Sequence, residues 1–223
     1  MPPIRYQGVL FRGYKPAATL AAIQSVEKTI GLPFPEDYRE FLQRVNGGKP
    51  KPGGYKHPRW EQDLNWPEPP QVDGVGMFPR PNEQQLIALR AIAEVHANTK
   101  TPPHIDRFYH VGRGSESLQA TLVGQQPISE KADVSSLVAV AFSSLACPIY
   151  MSLSKSDYGA IFQFDEEFDF DPGPETTRLQ DIQDLRIASS FNDLLLKLFD
   201  PKPILKPGFT PTSLQLKLLR ARS

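Results

Sequence analysis

Apolar residues first recur at helical spacing in the N-terminal part of the chain. Leu20, Ile23, Val26 or Glu27, and Ile30 trace one stripe, which predicts a helix over Pro16–Ile30. Pro16 suits a first helical position and Gly31 stops the run. A second helix is predicted from Pro35, with Glu36 and Asp37 in its first turn, where carboxylates complement the helix dipole. Tyr38, Phe41, Leu42 and Val45 fall at i, i+3, i+4 and i+7, so all four belong on one buried face. Asn46-Gly47-Gly48 closes that helix, because Gly accepts the left-handed conformation. From Lys49 to Pro81 the pattern dissolves, with eight prolines between Pro50 and Pro81, a density that leaves no helix or central strand. A third helix is predicted from Asn82 to about Ala97, with Gln85 as capping-box partner and Leu86, Leu89, Ile92 and Ala93 as its apolar face.

After Pro102-Pro103 the period changes to two. Phe108–Val111, Leu137–Phe142, Ile149–Leu153 and Ala160–Phe164 are short runs rich in β-branched and aromatic residues, and they read as strands. The last two are joined by Ser154–Gly159, a hairpin-sized connection. A closing helix carries Phe191, Leu194, Leu195 and Leu198 on one stripe, with Ser190 as its cap. Helices first, strands in the middle and a helix last define an α+β layout rather than alternating βαβ units.

Composition sharpens this picture in two places. Proline is in excess, at 23 of 223 residues against a usual ~5%. Net charge is zero, 25 Lys+Arg against 25 Asp+Glu, which argues against a generic nucleic-acid binder or a polybasic membrane-surface protein. The single cysteine, Cys147, cannot form an internal disulfide. The N-terminal residues lack a signal-peptide core, and no apolar run reaches the ~18 residues of a membrane span. A cytoplasmic protein is the expectation.

Catalytic constellations are not evident. His57, His96, His104 and His110 form no metal-binding pair, and Cys147 lies in an apolar run that favours an inert thiol. Gly112–Ser117 resembles a phosphate loop but lacks the Lys-Ser/Thr ending. Neither a catalytic residue, a metal site nor a cofactor is therefore expected. Charge placement is the feature that stands out. Asp165, Glu166, Glu167, Asp169 and Asp171 fall within seven residues, and Asp157 precedes them by one hairpin. Lys49, Lys51, Lys56 and Arg59 form a smaller basic group, and Lys202, Lys206, Lys217, Arg220 and Arg222 make the C-terminal end basic. The acidic run reads in three ways: a solvated strand edge and loop, a metal site, against which Phe168 and Phe170 count by interrupting the ligands, or a recognition surface for a basic protein. In the last, Phe168 and Phe170 anchor what the charge steers.

Motif order adds a resemblance. Gly31-Leu32-Pro33-Phe34-Pro35-Glu36-Asp37-Tyr38, followed by Asn46-Gly47-Gly48-Lys49-Pro50, resembles the signature of the SUKH superfamily, which takes in Smi/Knr-type domains and many bacterial immunity proteins. Ile105–Val111, Leu137–Ala141, Ile149–Ser154 and Asp157–Asp165 are similar to its strands, and Ile187–Leu195 to its closing helix. Phe142–Ala146 departs from the Gly/Asp/Asn-rich loop usual there. The resemblance implies a SUKH-like immunity domain over residues 1–200, mainly antiparallel sheet with N-terminal helices and a C-terminal helix packed on it. It sets apart a proline-rich insertion at about 60–103 and a proline-rich, basic extension over 201–223. It further implies a non-enzymatic protein that binds and neutralises a cognate toxin, with a nuclease among the candidate partners; the charge balance adds the expectation of no direct nucleic-acid or membrane contact. Asp157, Tyr158, Asp165, Glu166, Glu167, Phe168, Asp169 and Asp171 are the expected partner-binding set, with Trp60 and Trp66 as a second surface. A Smi/Knr-like regulatory scaffold and a metal-dependent hydrolase are the alternatives.

Overall fold

The structure, a computed structural model, describes residues 1–57, 83–124, 136–145, 147–163 and 185–222. It divides into two compact units, residues 1–62 with 103–200, and residues 63–102 with 201–223. Trp60, Trp66 and the 165–171 acidic run lie outside the described residues.

Unit one begins with a hairpin that the helix-and-strand pattern does not announce. Strands β1 (Ile4–Tyr6) and β2 (Val9–Arg12) pair antiparallel across Gln7-Gly8, whose φ angles are 47° and 82°. Positive φ at both central residues gives a two-residue turn the twist its strands need. Tyr6, Val9 and Phe11 point into the core, while Arg5 and Arg12 alternate outward. Strand β3 (Lys49–Lys51) joins β2, placing buried Pro50 opposite Phe11. It lies at the margin of the β1-β2-β3 sheet, where a missing N–H is tolerated.

Helix α1 (Leu20–Ile30) starts four residues after the predicted Pro16, because Thr19 Oγ accepts the Ala22 N–H at 3.2 Å and acts as the cap. The chain before it is not helical, and the Ala18 N–H donates to the Leu42 carbonyl. Leu20, placed on the buried stripe by spacing alone, is 50% exposed, whereas Ile23, Val26 and Glu27 are buried. Helix α2 (Glu36–Arg44) follows its prediction, and Tyr38, Phe41, Leu42 and Val45 are all inaccessible to solvent. Phe41 is the hub of the core. Its ring centroid lies 4.8 Å from that of Phe191, 5.4 Å from those of Phe11 and Phe108, and 5.9 Å from that of Tyr6.

The main sheet is a five-stranded antiparallel meander in the order β5 (Ile105–Phe108), β6 (Leu137–Ser143), β7 (Pro148–Ser152), β8 (Ile161–Gln163) and β9 (Arg186–Ala188). The first strand ends at Phe108, where the sequence pattern starts it; beyond that, the Tyr109 N–H still reaches the Val140 carbonyl at 2.9 Å. Between residues 103 and 200 two elements are additions to the predicted set: β9, and the short helix α4 (Leu118–Gly124), capped by Ser117 Oγ on the Ala120 N–H. Helix α5 (Phe191–Lys197) is capped by Ser190, as its sequence predicts. Asp37 of α2 also accepts the Asn192 N–H at 2.9 Å, fastening the two helix starts together. The protein is thus α+β, with antiparallel sheets.

Unit two contains α3 (Glu83–Ala97), β4 (Thr99–Lys100), β10 (Ile204–Leu205) and α6 (Ser213–Arg222). Residues 83–102 and the residues after 200 therefore fold together: β4 and β10 pair antiparallel, and Gln215 Nε2 donates to Glu94 at 2.8 Å. The predicted apolar face of α3 is partly wrong. Leu89 and Ile92 are 41% and 38% exposed, whereas Ala93 is buried as its spacing predicts, and Val95 and Ala97 are buried as well. No helix among the described residues is long and apolar enough to cross a membrane.

Candidate functional site

The Asn46-Gly47-Gly48 turn at the end of α2 organises one side of unit one. Asn46 has φ 56° and is buried at 2% exposure. Its amide nitrogen donates to the carbonyls of Pro16 at 2.7 Å and Val111 at 3.1 Å, and its amide oxygen accepts the Val111 N–H at 2.8 Å. Three backbone groups from two distant segments are satisfied by one side chain, which is what a buried amide needs. The glycines allow closer approach still. A Cβ on Gly48 would sit 2.8 Å from the Arg12 carbonyl oxygen, and one on Gly47 2.9 Å from the Cβ of His110. Gly48 also exchanges backbone hydrogen bonds with Phe108, at 2.8 and 3.2 Å.

This clamping brings the end of β2, the start of β3 and strand β5 around a cleft of about 410 Å³, within the usual size of ligand sites. Its lining includes four basic side chains, Arg12, Lys15, Lys49 and Arg107, against two carboxylates, Asp106 and Glu116. The two carboxylates differ in their partners. Glu116 is ion-paired with Arg107, whose guanidinium also lies 5.7 Å from the Phe142 ring centroid, and Asp106 is 3.5 Å from His104. Arg12, Lys15 and Lys49 have no carboxylate partner among the described residues. Arg12 and Lys49 are moreover direct cross-strand partners. Like charges so placed destabilise a sheet by roughly 0.2–1 kcal/mol. The same outward face carries Arg5 and Lys51, so the cleft opens beside a surface of one sign.

Of the sequence-predicted partner set, Asp157 and Tyr158 lie within the described residues. The Asp157 carboxylate turns into its own hairpin loop, accepting the Ser152 hydroxyl at 2.6 Å, with its other oxygen buried. Tyr158 is 45% exposed, and its hydroxyl donates to the Pro33 carbonyl at 3.1 Å, docking the loop on the α1–α2 connection. That connection is braced by buried Glu27, which accepts the Phe34 N–H at 2.8 Å and Arg39 Nε at 2.6 Å. Burial raises the Tyr158 phenol above its usual range, against the opposing effect of Arg39. Among the described residues no three His, Cys, Asp or Glu side chains group as metal ligands. Cys147 is buried, with its thiol on the Leu145 carbonyl, and the Gly112–Ser117 loop is filled by its own bonds, Ser117 Oγ to the Gly114 carbonyl and the Gly112 N–H to Gln119.

The cleft residues Arg12, Lys15, Arg107 and Glu116 stand apart from the sequence-selected set. Gln7-Gly8 between Ile4/Tyr6 and Val9/Phe11 is the signal that locates the first two at the end of a hairpin.

Unit one thus combines an α+β body, a mainly basic cleft and a braced helix pair. A model of the SMI1 / KNR4 family (SUKH-1) matches residues 17–197, and the chain belongs to that family. The search of curated proteins returned no match.

Proposed function

We propose that this protein is an immunity protein: a non-enzymatic, cytoplasmic binder that neutralises a cognate toxin by forming a stoichiometric complex. The observation that carries the reading is family membership over residues 17–197, since the SUKH family is known for immunity proteins. The braced, well-packed surface of unit one supports it, because pre-organised backbones lose little entropy on binding. In this reading the acidic run Asp165, Glu166, Glu167, Asp169 and Asp171, with Phe168, steers a basic toxin domain, and a nuclease is the partner class whose phosphate-binding groove best matches it. Tyr158 adds an exposed aromatic edge, Asp157 holds the loop that presents it, and Trp60 and Trp66 supply a second contact surface.

The experiment is co-expression with the toxin encoded beside it. Rescue of growth and a co-purifying complex are the expected results; no rescue and no complex would sink the proposal and favour a Smi/Knr-like scaffold. Reversing Glu166 and Glu167 should slow association and flatten its salt dependence, and unchanged kinetics would dismiss the acidic run as the steering surface.

A further inference from the structure

We infer that the cleft between β2, β3 and β5 is a binding site for an acidic peptide segment of a protein partner. Three observations converge on it. Arg12, Lys15 and Lys49 project around the cleft with no carboxylate partner among the described residues, while Glu116 in the lining is already paired with Arg107 and Asp106 lies 3.5 Å from His104. Arg12 and Lys49 face each other across the strand pair, an arrangement that an incoming carboxylate relieves. The backbone beneath is rigid, held by the Asn46 amide and by the close approach of Gly47 and Gly48, so the cations are displayed from a fixed floor.

The chemistry favours carboxylates on a peptide over a phosphate backbone. Asp106 and Glu116 stand in the same lining, and a nucleic acid carries a charge at every nucleotide that cannot be moved away from them. A peptide alternates its side chains and can direct acids to Arg12, Lys15 and Lys49 while presenting neutral residues to the acidic wall. The chain's zero net charge leaves no general phosphate affinity to draw on. This site differs in sign and residues from the acidic run, so it stands or falls independently of toxin neutralisation.

The test uses the full chain and a hexaglutamate peptide, followed by amide chemical shifts and calorimetry. Shift changes should concentrate on residues 12–15, 48–49 and 106–116, and binding should weaken as salt rises from roughly 0.05 to 0.5 M. Lys49→Glu separates binding from folding: it should weaken the peptide about tenfold while raising the melting temperature by about 1–3 °C, because an opposite-charge pair replaces a like one. Lys28→Glu, on the exposed side of α1, should leave peptide affinity unchanged. Shift changes spread evenly over the surface, equal loss in Lys28→Glu, or tighter binding of inorganic phosphate or a short oligothymidylate would overturn the proposal.

Discussion

Replacing Asn46 by Ala tests whether the turn after α2 holds unit one together. The substitution removes three hydrogen bonds, leaving the Val111 carbonyl and N–H unpaired in a buried site and the Pro16 carbonyl unpaired in a part-buried one. Each such bond contributes about 0.5–1.5 kcal/mol, and a buried group left unpaired costs about 1–3 kcal/mol, with partial relief where water enters. Ala at φ 56° adds about 1 kcal/mol that Asn avoids more readily. The expected loss is about 3–5 kcal/mol, a large part of the stability of a typical domain. Urea unfolding followed by far-UV circular dichroism measures it, with linear extrapolation to water. Two further variants divide the total. Asn46→Gly removes the same bonds but accepts positive φ, and should be about 1 kcal/mol less damaging than Asn46→Ala. Asn46→Asp keeps an acceptor for the Val111 N–H but turns a second oxygen toward two carbonyls, so it should be well below wild type at neutral pH. A loss under about 1 kcal/mol for Asn46→Ala, or wild-type stability for Asn46→Asp, would refute the assignment of this side chain as the tie between the segments.

Two other outcomes follow from buried polar groups. The Tyr38 hydroxyl is buried without a partner among the described residues, and burial raises its pKa far above the usual phenol value, so Tyr38→Phe should leave stability unchanged or raise it by up to about 1 kcal/mol; clear destabilisation in thermal or urea melts would mean the hydroxyl has a partner. For Asp193 burial opposes ionisation, but hydrogen bonds from Lys197 and from the Ser189 N–H and hydroxyl outweigh it and lower its pKa from 3.8 to about 2. A depressed carboxylate stabilises the fold above its unfolded pKa and loses that contribution as pH falls through the folded one, so the advantage of wild type over Asp193→Asn should be present at pH 5, about 1 kcal/mol or less for so exposed a pair, and should fade between about pH 4 and 2. A constant difference across that range would reject the bonding around α5.

What the sequence shows of this fold follows from how much pattern each element contains. Helix α2 places four apolar residues on one face in two turns, and each of them reaches full burial. Helix α5 repeats that logic with a cap in front of it. Strands β1, β2 and β9 have three or four residues each, too few for alternation to stand out, and they become strands only through their partners. In α3 the spacing of Leu89 and Ile92 is helical and correct, but periodicity does not say which side of a helix has something to pack against. The candidate site is less legible still. Lys49 belongs to a visible basic group, yet Arg12, Lys15 and Arg107 are scattered in sequence and acquire a common sign only after folding.

The division of labour within the cleft bears on what family membership means here. Asn46, Gly47 and Gly48 act through the backbone they satisfy or let approach, and present no charged group of their own. They build the floor. The charge comes from around them, and Arg12 and Lys15 lie before residue 17, where the family match begins, while Lys49 and Arg107 lie within it. Backbone bonds make this junction firm, since the Lys15 N–H reaches the Asn46 carbonyl at 3.2 Å and β2 pairs with β3 through Arg12 and Lys49. A hairpin outside the matched segment thus completes a site whose base lies inside it. Under the proposed peptide-binding role, specificity at this cleft can change through β2 and the residues after it, while the α2 turn and the aromatic core around Phe41 stay as they are.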